Sequence, residues 1–277
     1  MNGGSSAGPI LLVGCGKMGG ALVSGWRARG VAAERIVIVE PAEAARATAA
    51  KLGVMVMSAP PNADRDHPFG AVVLAVKPQM MASVAPAYQA LMSPSTVALS
   101  IAAGTTTATL KNFLGVGAAV VRAMPNTPAA VGRGMTVLFA APGVMPTQAE
   151  LCAELLTAVG EVRWVKDEGL MDAVTAVSGS GPAYVFHLIE ALTAAGVAAG
   201  LDAALAADLA LATVTGSGEL ARLSSESAAA LRTNVTSPGG TTEAALKVLM
   251  ADRGGLTDLM IRTVQAAAQR SKELSKS

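Results

Sequence analysis

With 277 residues, 52% of them hydrophobic and 15% charged, and a formal net charge of +1, the chain has core material for one large or two modest domains. That balance argues against a disordered chain and, lacking a basic stripe, against a nucleic-acid binder. Aromatic residues are only 3% of the sequence, so the core must be built from Ala, Val, Leu and Met.

The first apolar run, Ile10 to Val13, ends in Gly14-Cys-Gly-Lys-Met-Gly19 and is followed by a helical stretch to Arg29. Arg35 to Glu40 reads as a second buried strand, and Pro41 opens a helix running to about Leu52. Further strands are expected at Val54–Met57, Ala71–Val76, Val97–Ile101 and Ala118–Met124, with one or two short ones in Met135–Phe139. Strands that are apolar throughout, alternating with helices, predict a parallel sheet covered on both faces. The pattern changes near Val165. Beyond it, Glu168–Val177, Pro182–Ala199, Ala203–Leu223, Thr242–Met250 and Leu256–Leu274 all carry helical spacing. The expected fold is α/β: a Rossmann-like parallel sheet domain over residues 1–164, then an all-helical domain over 165–277.

Cys15 and Cys152 lie far apart, one of them inside the glycine loop, so a disulfide framework is not expected and a reducing compartment fits. Residues 1–8 lack the positive region and apolar run of a signal peptide. Ala183–Leu201 is apolar-rich, but His187 and Glu190 interrupt it, which favours a buried helix over a membrane span. A soluble, cytoplasmic protein is expected.

Gly14-x-Gly16-x-x-Gly19 falls directly after a strand and opens a helix, where a dinucleotide would need it. Gly14 allows the tight turn, Gly16 the approach of pyrophosphate, and Gly19 close packing of helix on strand, with Cys15, Lys17 and Met18 supplying backbone between them. Glu40 closes the second strand, where a carboxylate accepts hydrogen bonds from an adenine-ribose diol and repels a 2′-phosphate; Arg46, six residues on, can still neutralise one. Glu40 is also explained as a mere cap on a strand end. Lys77, Ser100–Gly104 and Asn126-Thr127 end three further strands on the same sheet edge, where ligands of doubly wound sheets bind.

The segment Asn234-Val-Thr-Ser-Pro-Gly-Gly-Thr-Thr-Glu243 gathers a proline, paired glycines and hydroxyl side chains before a helix. It is a candidate anion cradle, with the N–H groups of Gly240 to Thr242 as donors. A plain interhelical connector is the alternative.

Taken together, Val76-Lys-Pro78, Met124-Pro-Asn-Thr-Pro128, Asp172-Ala-Val-Thr175, Ser178-Gly-Ser-Gly-Pro-Ala-Tyr184 and Val235-Thr-Ser-Pro-Gly-Gly-Thr-Thr242 closely resemble the pyrroline-5-carboxylate reductase family, over roughly Ile10 to Ala268. The resemblance implies NAD(P)H-dependent reduction of a carboxylated cyclic imine to proline, with no metal. It implies a helical domain that interlocks with a second copy in a homodimer, and a homodecamer as a further level of assembly. It places Val13 to Met18, Asn62, Ala75, Val76, Lys77, Pro78, Ala102, Ala103 and Gly104 at the cofactor. It places Glu168, Asn234, Thr241 and Thr242 around the substrate with Ser237 nearby, Thr242 hydrogen-bonding the ring nitrogen. Two departures stand out. Glu226-Ser-Ala-Ala-Ala-Leu231 lacks the His-Pro that many members carry after the glutamate, which leaves Glu226 without an assigned role. Glu40 is unlike the Ser- or Asn-rich turn of members that prefer NADPH, so the cofactor stays open between NADH and NADPH.

Such chemistry needs few acid–base groups, which fits a chain with two histidines: His67 in a loop, and His187 reading as a hydrogen-bonded core residue. A β-hydroxyacid-dehydrogenase-like reductase is the nearest alternative, but Lys166, Lys247 and Lys272 do not form the helical lysine motif it requires. A non-catalytic NAD(P)-binding dimer is the other.

Overall fold

In the computed structural model, which describes residues 8–64 and 66–275, strand β1 (Ile10–Val13) is buried at every position. Helix α1 (Lys17–Ala28) follows, then β2 (Ile36–Val39), α2 (Glu43–Ala50), β3 (Met55–Met57) and β4 (Ala71–Leu74). A short α3 (Met81–Val84) leads into the 3₁₀ segment Ala85–Leu91, and β5 (Val97–Ser100), α4 (Thr107–Leu114) and β6 (Ala119–Met124) complete the parallel part. The chain then forms β7 (Gly134–Ala140), α5 (Pro146–Thr157) and β8 (Gly160–Trp164).

The sheet order is β3-β2-β1-β4-β5-β6-β7-β8. All neighbours run parallel except β6 and β7, so the expected parallel sheet carries an edge of reversed direction. The reason is the connection: residues 125–133 make only a 3₁₀ turn, too short for the crossover that a parallel neighbour requires. β7 and β8 are parallel to each other because α5 supplies that crossover.

Alternate strand residues point to opposite faces. Ile10, Leu12, Ile36, Ile38 and Val73 pack on one side with Leu22, Trp26 and Leu155 from α1 and α5. Leu11, Val13, Val72 and Leu74 pack on the other with Met81, Tyr88, Leu110 and Leu114. Burial on both faces is why these strands carry no polar alternation, and each fully buried Leu or Ile contributes about 1.5–3 kcal/mol. Trp26 fastens α1 to α5, its indole N–H donating to the Leu155 carbonyl at 2.8 Å.

The polypeptide after β8 does not leave this unit at once. Residues up to Gly179, including α6 (Met171–Val174) and a π-helical turn at Thr175–Gly179, group with the sheet, and so do residues 268–275. Strand character ends at Trp164, and residues 165–179 stay with the sheet unit, Glu168 reaching Thr107 of α4 and Arg122 of β6. Ser271, buried near the C-terminus, donates its hydroxyl to Asp172 at 2.6 Å, and Leu274 lies against Gly104.

The second unit, Ser180–Ala267, is helical throughout: α7 (Gly181–Ala198), α8 (Ala203–Leu223), α9 (Ala228–Asn234), α10 (Thr241–Leu249) and most of α11 (Leu256–Leu274). α7 and α8 form a hairpin. Gly200 at φ +102° closes α7 in a Schellman turn, with Leu201 N–H on Gly196 O and Gly200 N–H on Val197 O, and Asp202 caps α8. A Cβ on Gly196 would stand 3.1 Å from that of Ala206, so small residues let these helices touch. No residue of α7 is buried within the chain, although the helix is apolar on every side, and Phe186, Leu209 and Leu223 are exposed. An apolar surface of this extent marks an association site. His187, expected in a core, is exposed here and bonded to Glu190 at 2.9 Å. Among the described residues, no helix is long and apolar enough to cross a membrane.

Candidate active site

The β1–α1 turn shows separate reasons for its glycines. Gly14 adopts φ +87°, and a Cβ there would lie 3.0 Å from the Ala75 carbonyl oxygen. A Cβ on Gly19 would lie 2.6 Å from the Gly14 carbonyl oxygen. A Cβ on Gly16 would meet nothing within 4 Å. Packing of the protein therefore explains Gly14 and Gly19 but not Gly16, whose bare backbone faces open space. Gly16 is also the N-cap of α1, which has no side-chain cap and no acidic residue in its first turn. The N–H groups of the first turn, at Lys17, Met18 and Gly19, are the donors that a helix start leaves for an anion. The donor set suits a dinucleotide's pyrophosphate.

Beside this turn opens a cleft of about 400 Å³ lined by Val13, Gly14, Gly16, Glu40, Ala75, Val76, Lys77 and Tyr88 among others. Glu40 is fixed by backbone: Oε2 accepts the Cys15 N–H at 3.0 Å and Oε1 the Ala42 N–H at 3.1 Å. Burial, and then the Glu40 charge, push the Cys15 thiol above its ordinary pKa. The same two causes raise the Tyr88 phenol to about 12. Arg46 turns its guanidinium to the carbonyl oxygens of Glu40 and Pro41. A second cleft, of about 460 Å³, takes in Pro78, Ala103 and Gly104 with Leu274; Ala102 lies buried beneath its wall.

Two expected site residues are engaged by the protein's own groups. Asn126 donates its amide to the Ser178 carbonyl and hydroxyl at 3.3 Å each, and its Oδ1 accepts the Met135 N–H at 2.9 Å. Those contacts clamp the β6–β7 turn to the π-helical turn. Glu168, expected beside the substrate, is held by the protein's own groups. Its carboxylate accepts the Thr107 N–H at 2.8 Å and hydroxyl at 2.7 Å and pairs with buried Arg122 at 3.2 Å. Asn62 is exposed in the loop after β3 and lines neither cleft.

In the helical unit, the segment 234–242 forms the turn that starts α10, with Gly240 as N-cap. The Gly240 N–H, expected to face an anion, instead donates to the Ser237 carbonyl at 3.0 Å. The Gly239 N–H is taken by the Glu243 carboxylate. That bond, and then Lys247, hold the Glu243 carboxyl below its usual pKa. What stays open are the N–H groups of Thr241 and Thr242, which have no acceptor among the described residues, together with their hydroxyls and that of Ser237. Asn234, the last residue of α9, donates Nδ2 to both carboxylate oxygens of Glu226 at 3.2 Å. Glu226 thus belongs to this cluster. The signal for it was the spacing, since α9 bridges positions 226 and 234.

Among the described residues, no group of His, Cys, Asp and Glu is arranged to hold a metal ion, and both cysteines are free thiols. A Rossmann-like unit with an open glycine turn, followed by a helical unit whose turn at Thr241 and Thr242 leaves its N–H groups open, is the layout of a dinucleotide-dependent oxidoreductase. Residues 9–104 match the family description "NADP oxidoreductase coenzyme F420-dependent", and residues 168–274 match "Pyrroline-5-carboxylate reductase dimerisation". The chain is 43% identical over 269 residues to the pyrroline-5-carboxylate reductase of Pseudomonas aeruginosa, covering 96% of each. It is similar to the solved pyrroline-5-carboxylate reductase of Coxiella burnetii, at 37% identity and a TM-score of 0.89, covering 98% of this chain and 100% of that one. It is also similar to the Plasmodium falciparum enzyme solved with NADP bound, at 29% identity and a TM-score of 0.79, over 98% and 100% of the two chains. The chain belongs to the pyrroline-5-carboxylate reductase family.

Proposed function

We propose that this protein reduces L-1-pyrroline-5-carboxylate to L-proline, using NADH or NADPH. The observation that carries this reading is the pair of open N–H groups at Thr241 and Thr242, in a chain whose other unit presents an open pyrophosphate turn at Gly16. Gly14, Gly16 and the first turn of α1 bind the dinucleotide; Ala75, Val76, Lys77 and Pro78 border it. When bound, the reduced dinucleotide supplies the hydride that adds to the imine carbon.

The residues of the chain hold and orient the substrate. The Thr241 and Thr242 N–H groups, at a helix start, bind its carboxylate. The Thr242 hydroxyl oxygen accepts a hydrogen bond from the protonated ring nitrogen, favouring the charged, electrophilic iminium. Glu226 fixes Asn234 at the edge of this turn. Orientation is the main source of rate, since intramolecular alignment of this kind is worth about 7–11 kcal/mol at best.

A homodimer formed through the apolar helices of the second unit is the working assembly, with a homodecamer as the higher one, in the cytoplasm. The decisive experiment follows coenzyme oxidation with pyrroline-5-carboxylate as substrate. A steady rate is expected; no rate, or a rate only with hydroxy or keto acids, would refute the assignment.

A further inference from the structure

The carboxylate of Glu40 is braced from two loops at once. Cys15 N–H, in the glycine turn, holds one oxygen, and Ala42 N–H, after β2, holds the other. It therefore stands at the carboxyl end of β2, in the wall of the cleft that also contains Gly14 and Gly16. In folds of this kind, an acidic side chain about 20 residues past the glycines faces the adenine ribose.

A 2′-phosphate would bring about −2 of charge to the same place as this fixed carboxylate. The nearby cations, Lys77 and Arg46, are placed otherwise. Lys77 follows β4, on the opposite side of β1 from Glu40 in the strand order. Arg46 is nearer, but its guanidinium is turned to the carbonyl oxygens of residues 40 and 41, and it does not line the cleft. The remaining polar side chains lining the cleft, Ser58, Ser83 and Tyr88, carry no positive charge.

We infer that Glu40 makes this reductase selective for NADH by accepting the hydrogen bonds of the adenine-ribose diol and repelling a 2′-phosphate. The two backbone N–H bonds mean that the carboxylate does not have to be ordered when the ribose arrives, and that it cannot swing aside readily for a phosphate. This inference rests on the reductase reading for its biological meaning, but binding alone tests it.

The experiment titrates the wild-type protein with NADH and with NADPH, by calorimetry or by nicotinamide fluorescence, without imine substrate. NADH is expected to bind at least about tenfold more tightly, the order of a single close like-charge repulsion near a surface. Glu40→Gln keeps the size and removes the charge, and Glu40→Ser removes both. In each, the NADPH-to-NADH affinity ratio is expected to rise about tenfold, with thermal unfolding recorded to show that the variants are folded. Equal or tighter binding of NADPH by the wild type would overturn the inference, and so would an unchanged ratio in both variants. A protein that prefers NADH in binding but reduces no pyrroline-5-carboxylate would sink the proposed reaction and leave this inference standing.

Discussion

Glu168 Oε1 stands 3.2 Å from a guanidinium nitrogen of Arg122, a side chain only 4% exposed at the middle of β6, and the same carboxylate caps the N-terminus of α4 through Thr107. One carboxylate thereby neutralises a buried charge and satisfies a helix start. Removing it strands the arginine. Glu168→Ala is expected to destabilise the fold by about 3–5 kcal/mol, as breaking one partner of a buried pair does. Urea unfolding measures this. A variant of unchanged stability with turnover abolished would instead return Glu168 to a catalytic role.

Thr242 carries the opposite expectation. Its N–H and hydroxyl have no hydrogen-bond partner among the described residues, so Thr242→Ala breaks no hydrogen bond described in the fold. Turnover is expected to fall about tenfold or more, the worth of a hydrogen bond to a charged group. Coenzyme affinity should stay as in the wild type, and Thr242→Ser should restore most of the rate. Unchanged steady-state kinetics in Thr242→Ala would remove the hydroxyl from the mechanism.

Much of this arrangement can be read from the sequence, and the reason is burial. β1, β2, β4 and β5 are covered on both faces, so they are uniformly apolar and bounded by glycines or polar turns. β8 is not: Glu161-Val-Arg-Trp164 lies at the sheet edge with most of its side chains exposed, and its mixed composition carries no strand signal. α9 is seven residues long and buries nothing within the chain, so it leaves no periodic mark. At the site, glycines and hydroxyls announce the two turns, because only those residue types permit them. Which side chain bonds which does not follow from type. Asn126 and Glu168 look like ligands in sequence and bond partners as far as 52 and 61 positions away. Glu226 looks idle and is paired with Asn234.

Alkaline pH should weaken the protein for a reason visible in its core. Burial raises the Cys152 thiol, and burial with the Glu40 charge raises the Cys15 thiol and the Tyr88 phenol, from ordinary values of 9.0, 9.0 and 10.0. The folded state thus holds these protons more tightly than the unfolded state. Their contribution is complete below the unfolded values and is lost as pH rises through the folded ones. The urea midpoint is expected to decline above about pH 9, and Cys152→Ala should show a shallower decline. A midpoint that rises over that range would contradict the assignment.

The glycines of the β1–α1 turn permit a sharper separation of binding from folding. A methyl on Gly19 would sit 2.6 Å from the Gly14 carbonyl oxygen, against backbone that cannot yield without moving α1 from β1. Gly19→Ala should therefore destabilise the protein by about 1–3 kcal/mol, the usual range for overpacking. A methyl on Gly16 meets no protein atom within 4 Å and sits at φ −71°, where alanine is unstrained. Gly16→Ala should leave the unfolding transition in place. If the open space beside it receives a dinucleotide, that methyl occupies the path of the pyrophosphate, and coenzyme affinity should drop about tenfold or more. Calorimetric titration beside a melting curve reads both quantities for each variant. Wild-type affinity in folded Gly16→Ala would mean that the second glycine admits no ligand, and the dinucleotide would have to bind elsewhere on the sheet edge.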